Sequence, residues 1–166
     1  MKRLLLLIPL LALVPLAYAA DISQLVSRDV PSIDPGTGKP KIVFLANSVD
    51  YALASDAIAS LEARRMYVIR ANASDFDRYR GERFIVILGG PDAYEGVGEI
   101  VSEVLDAGDL ARIRTPGAKA MYGRQNVWLE AAFLMRQTVF VVAGSDRYGT
   151  QKALSEHLES IFLRAF

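Results

Sequence analysis

Three apolar runs in this sequence end in short polar segments: FLANSVDYA from Phe44, ILGGPDA from Ile87 and VVAGSDRYG from Val141. They supply Asn47, Ser48 and Asp50, then Gly89, Gly90, Pro91 and Asp92, then Gly144, Ser145, Asp146 and Arg147. Brought to one place, these residues would surround a crevice with backbone amides, carboxylates and a guanidinium. Two chemistries suit the set. Asp50, Asp92 and Asp146 could work as an acid and base pair, or hold a divalent cation through oxygens. Alternatively, the group binds a polar ligand without transforming it.

Each residue also has a plainer structural role. Gly89 and Gly90 allow a tight turn from strand to helix. Asn47 or Ser48, Asp92 and Asp146 are all suited to cap the helices that follow them, where a carboxylate also complements the helix dipole. Asp92 and Glu95 have the spacing of a capping box. A cap has no use for Arg147, and a surface salt bridge is its plain reading.

Other chemistries lack their residues. The turn after the second run has no GxGxxG pattern, and no GxxxxGK followed by Ser or Thr occurs, so a nucleotide or dinucleotide cofactor is not expected. His157 is the only histidine and lies in the final helical segment, remote from Ser48 and Ser145, which argues against a Ser-His-Asp triad. With no cysteine and no histidine cluster, neither thiolate nor imidazole metal sites nor disulfides are expected.

The elements that position these segments can be read from hydrophobic pattern. Lys41 to Ala46, Tyr67 to Arg70, Phe84 to Leu88 and Thr138 to Ala143 read as strands, three of them as continuous apolar runs buried on both faces. Helical spacing predicts one helix from about Val49 to Arg64, a second from Ala93 to Leu105 stopped by Gly108, and a third from Gly149 to Phe162. Residues 109–137 are hard to read. Val127 to Met135 suits a short helix or, in its first residues, an extra strand. Strands alternating with helices predict an α/β fold: a three-layer sandwich with a mainly parallel sheet of four or five strands and helices on both faces. In such sheets, ligands sit beyond the carboxyl ends of the strands.

The chain begins with Lys2-Arg3, an apolar segment from Leu4 to Leu16 and Ala17-Tyr18-Ala19, the order of a secretory signal peptide over residues 1–20. Membrane contact is expected only if that segment stays uncleaved. Residues 21–40 read as a linker or edge segment rich in turn signals, and 41–166 as a single α/β domain. Basic and acidic side chains are equal at 19 each, and loss of Lys2 and Arg3 leaves a slightly acidic chain, so nucleic acid is not an expected partner. Asn72-Ala73-Ser74 matches the N-glycosylation pattern and falls in the loop after the second strand. Tyr94, Tyr122, Trp128 and Tyr148 lie near loops or helix starts, where aromatic rings stack on sugars or a protein partner, or simply pack half-buried.

The segments FLANSVDYALASDAI, FIVILGGPDAYEGVGEIVSEVL and NVW with VFVVAGSDRYGTQKAL resemble exported, S-layer-like or uncharacterised α/β proteins of hyperthermophilic archaea. The resemblance runs from about Lys41 to Leu158 and departs at LEAAFLMRQ. It implies an envelope or extracellular domain and names no catalytic residue. The favoured reading is therefore a non-catalytic, exported, envelope-associated domain without cofactor or metal, binding an envelope protein, glycan or polymer. The alternatives are a secreted hydrolase using Asp50, Asp92 and Asp146, and a small-molecule receptor.

Overall fold

The computed structural model describes residues 32–130 and 133–165, so the expected signal peptide and most of the expected linker lie outside the described residues. Residues 32–127 and 136–165 make up one compact unit; strand residues 128–130 and 133–135 fall in a second. The elements are β1 (Lys41–Leu45), α1 (Ser48–Leu53), α2 (Ser55–Ala63), β2 (Tyr67–Ala71), a 3-10 turn (Phe76–Arg78), β3 (Phe84–Leu88), α3 (Val97–Val104), α4 (Ala107–Ile113), β4 (Lys119–Glu130), β5 (Phe133–Gly144) and α5 (Arg147–Ala165). The fold is α/β, with one five-stranded sheet in the order β2-β1-β3-β5-β4.

Strands β2, β1, β3 and β5 are parallel, with Val43 opposite Ile69 and Ile85, and Val86 opposite Phe140 in the next pair. Only two residues separate β4 from β5, a span that suits an antiparallel return and is far too short for a parallel crossover. The apolar runs are continuous because alternate residues enter different clusters. Ile42, Phe44, Val86 and Phe140 pack with Ile58 and Leu61 of α2 and with Leu154 and Ile161 of α5. Val43, Leu45, Ile85, Ile87 and Val141 pack with Val97, Ile100 and Val101 of α3 and Ile113 of α4. A strand whose side chains alternate in direction and are buried on both sides cannot afford a polar position.

Several boundaries differ from the expectation. The helix expected over 49–64 is two helices, because the Ala54 amide donates to both Asp50 and Tyr51 carbonyls and closes α1, with Ala54 buried at the junction. That bend accompanies the placement of the Tyr51 hydroxyl between β1 and β2, where it donates to the carbonyls of Phe44 and Ala71. Gly108 does not stop the second helix. The chain leaves α3 at Leu105, Asp106 caps α4 by accepting from the Asp109 amide, and Gly108 lies inside α4. The hard-to-read stretch holds α4 and long β4, and the last strand begins earlier than its apolar core, at Phe133. The final helix, expected from Gly149, begins at Arg147.

Candidate functional site

Parallel pairing of β1, β3 and β5 aligns their carboxyl ends on one edge. After β1 the chain goes to β2 on one side, then crosses back to β3 on the other, so the strand order reverses between β1 and β3. The segments leaving these two strands lead into helices of different hydrophobic clusters, which leaves a gap between them. A cavity of about 260 Å³ lies at this edge, lined by Asn47 and Asp50 after β1, Gly89 to Tyr94 after β3, Gly144 to Arg147 after β5, and by Val49, Ile113, Arg114 and Thr150. Every expected crevice residue lines it except Ser48.

Its floor is built around Asp50. Asn47 caps α1, its Oδ1 accepting from the Asp50 amide at 2.8 Å while its Nδ2 donates to Asp50 Oδ2 at 2.7 Å. Gly89 has φ 128, a left-handed conformation that favours glycine, and a Cβ there would lie 3.4 Å from Asp50 Oδ2 and 2.9 Å from Ala93 Cβ. Asp50 is only 7% exposed. Burial holds its carboxyl above the usual range, against the opposing hydrogen bond from Asn47 and the nearby charge of Arg147, and with a further upward push from Glu95.

The other two carboxylates are engaged differently. Asp92 is exposed and does not cap a helix. Arg114 grips it through Nε to Oδ2 at 3.0 Å and Nη2 to Oδ1 at 2.9 Å, and this pairing lowers its pKa. The expected capping box is absent for the same reason: Glu95 is also diverted, accepting from the amide and hydroxyl of Ser48, and α3 starts only at Val97. Asp146 does cap α5, its Oδ1 accepting from the Gly149 amide at 2.7 Å. Ser145 Oγ accepts from the Gly117 amide at 3.0 Å, and Thr150 Oγ1 accepts from the Gly144 amide at 3.0 Å.

Arg147 is exposed and, among the described residues, joins no ion pair; its charge acts through space on Asp50. The salt bridge expected of it is not formed with any described residue. Tyr94 lines the cavity and is 71% exposed, and Tyr148, beside Arg147, is 69% exposed. Tyr122 instead packs partly buried against the core, and the Trp128 side chain lies outside what is described. His157 sits half-buried in the body of α5, roughly 15 Å from Arg147 at a rise of about 1.5 Å per residue. Among the described residues no group of His, Cys, Asp and Glu has the arrangement of a metal site.

The chain matches no family model, no curated protein and no solved structure.

Arg114, Ile113 and Thr150 escaped the sequence reading. Arg114 comes from the stretch with no clear periodicity, and its reach to Asp92 exists only because α4 folds back beside the turn after β3. Thr150 carried a weak signal as the fourth residue after an N-cap aspartate. What the cavity offers is one deep acceptor at Asp50, one cation at Arg147 without an ion-pair partner among the described residues, and an exposed ring at Tyr94.

The burial of Asp50 makes stability depend on pH. The unfolded chain gives up this proton near the ordinary value of 3.8, the folded protein at higher pH. Within that window the folded state holds more protons, so stability falls as pH rises through it. Asp50→Asn keeps an oxygen acceptor for Asn47 and removes the charge. Thermal melts from roughly pH 3 to pH 7 should then lose the decline assigned to Asp50, with a Tm at neutral pH no lower than that of the wild type. A variant that melts early at neutral pH and keeps the decline would contradict the assignment.

Proposed function

We propose that this protein is an exported, envelope-associated α/β domain that binds a protein, glycan or polymer through the strand-end crevice. The observation that carries this reading is the position of the cavity at the reversal of strand order between β1 and β3, with side chains from three strand ends around it. The finer architecture belongs to the same proposal: a three-layer sandwich with helices on both faces of the sheet, supported by the two hydrophobic clusters that share its strands. Export is supported by the order of charged, apolar and small residues in 1–20. The segments quoted above for their resemblance to S-layer-like archaeal proteins point the same way, to the cell envelope.

A volume of about 260 Å³ is slightly below the roughly 300–1,000 Å³ of pockets that enclose small ligands. It suits the protruding end of a larger molecule better than a small molecule swallowed whole. Arg147 and Tyr94 then supply the ionic and stacking contacts at the rim.

The test is sedimentation of purified protein with envelope sheets of the source cell. Retention should be saturable, and Arg147→Gln should reduce it at least tenfold while shifting stability by no more than about 0.5 kcal/mol, as for an exposed side chain without partners. An Arg147→Gln protein retained like the wild type would overturn the role given to the crevice.

One observation favours carboxylate chemistry as a second reading. Asp50 is pushed up by burial and Asp92 down by Arg114 within one crevice, the divergence expected of an acid and base pair. Against it, both oxygens of Asp92 are held by Arg114, and Asp146 holds its own helix. Turnover of an envelope glycan by the wild type, absent in folded Asp50→Asn, would decide for this reading.

A further inference from the structure

The chain has three asparagines, and they are used differently. Asn47 Nδ2 donates to Asp50, and Asn126 Nδ2 donates to Gln137 Oε1 at 2.7 Å. Asn72 is the exception. Its Oδ1 accepts from the Ser74 amide at 2.9 Å, the Ser74 hydroxyl at 2.6 Å and the Asp75 amide at 3.2 Å, while its Nδ2 donates to no described residue. Both Asn72 and Ser74 are exposed, and Ala73 between them is half-buried. Ala73 is held against the turn before α3, where a Cβ on Gly96 would come within 3.0 Å of it. The Asp75 carboxylate closes the loop by accepting from the Asn72 amide at 2.8 Å.

Asn72-Ala73-Ser74 is also the only Asn-x-Ser/Thr tripeptide in the sequence. We propose that this turn is an N-glycosylation acceptor in the folded protein, modified at Asn72 Nδ2 by transfer of a glycan from a lipid-diphosphate donor. The turn already presents what the reaction needs. Hydrogen bonds converging on Oδ1 draw charge toward the oxygen and make an Nδ2 proton easier to lose, and the free, outward nitrogen is open to the donor. In the transfer, Nδ2 forms a bond to the anomeric carbon, the bond from that carbon to the diphosphate oxygen breaks, and the lipid diphosphate leaves with the electron pair. The proton from Nδ2 passes to a base of the transferase. The half-buried Ala73 keeps Asn72 and Ser74 on the outer side of the turn. In the cell the modification rests on the export reading above, because the donor and transferase act outside the cytosol.

Because Asn72 follows the last residue of β2, the glycan would attach at the same strand-end edge as the crevice. It would stand one strand away from β1, beside the mouth and outside the cavity lining.

The experiment uses full-length, unmodified protein, incubated folded with a purified single-subunit oligosaccharyltransferase and a lipid-linked oligosaccharide, followed by peptide mapping by mass spectrometry. One glycan on Asn72 is expected. Asn72→Asp, which keeps the Oδ1 acceptor and hence the turn, should carry none. Ser74→Ala should lose at least tenfold in modification, and Ser74→Thr should retain it. An unmodified Asn72 in the folded wild type, or equal modification of Ser74→Ala, would overturn the proposal. Export is read separately by fractionating cells that express the protein, so modification in the tube with retention in the cytosol would remove the export reading and leave the acceptor assignment standing.

Discussion

Gly144→Ala is expected to cost about 3 kcal/mol and to disrupt the crevice, although it adds a single methyl group. The new Cβ would stand 2.5 Å from the Thr150 amide nitrogen and closer still to the carbonyl carbon of Gly149, which are backbone atoms in the first turn of α5. No rotamer change relieves such a contact. The start of α5 must lift from the end of β5, and that breaks the hydrogen bond from the Gly144 amide to Thr150 Oγ1 and displaces Arg147. A drop in Tm of roughly 10 °C should accompany loss of retention on envelope sheets. Ser145→Ala, one residue on and exposed, should cost under about 1 kcal/mol. If the two variants melted alike, the close approach of α5 to β5 would be refuted.

Phe44→Ala should cost more, about 3–5 kcal/mol, against a total stability of about 5–15 kcal/mol for a domain of this kind. Phe44 has no exposed surface and lies on β1, which runs between β2 and β3, in the cluster that also holds Ile58, Leu61 and Leu154. Truncation removes a ring from a close-packed site whose neighbours are anchored on strands and helices, so little of the cavity can collapse. Urea denaturation should show a lower midpoint with an unchanged slope, the mark of lost stability without a change in the surface exposed on unfolding. A loss below about 1 kcal/mol would mean that β1 is not an interior strand covered at Phe44.

The strands and the polar ends of β1, β3 and β5 were legible because their signals are local. IVFL after Lys41 and FIVIL are apolar at every position, a pattern with few folded solutions other than a strand buried on both faces. The final helix was legible from its stripe of Leu154, Leu158 and Ile161. Its start was misplaced because Arg147 and Tyr148, though helical, face solvent and add nothing to that stripe.

The capping box shows why local rules fail. Asp92 and Glu95 stand at the right spacing before a helix, but Arg114 and Ser48, from distant parts of the chain, take both carboxylates. β4 was hidden for a related reason. It is an edge strand with exposed or half-buried residues along much of its length, so burial imposes no strong pattern on it.

Amino-acid order alone determined the strands β1, β2 and β3, the apolar core of β5, and the polar residues that follow β1, β3 and β5, because period and burial act between neighbours in sequence. It also marked Asn72 as a motif. Only the tertiary structure decided that the strand order reverses between β1 and β3, that Asp50 is buried while Asp92 is neutralised, and that Arg147 and Asn72 Nδ2 have no hydrogen-bonding or ion-pair partner among the described residues. Those outcomes depend on which distant groups arrive beside each side chain, and a charge or amide is left free for a ligand only where none does.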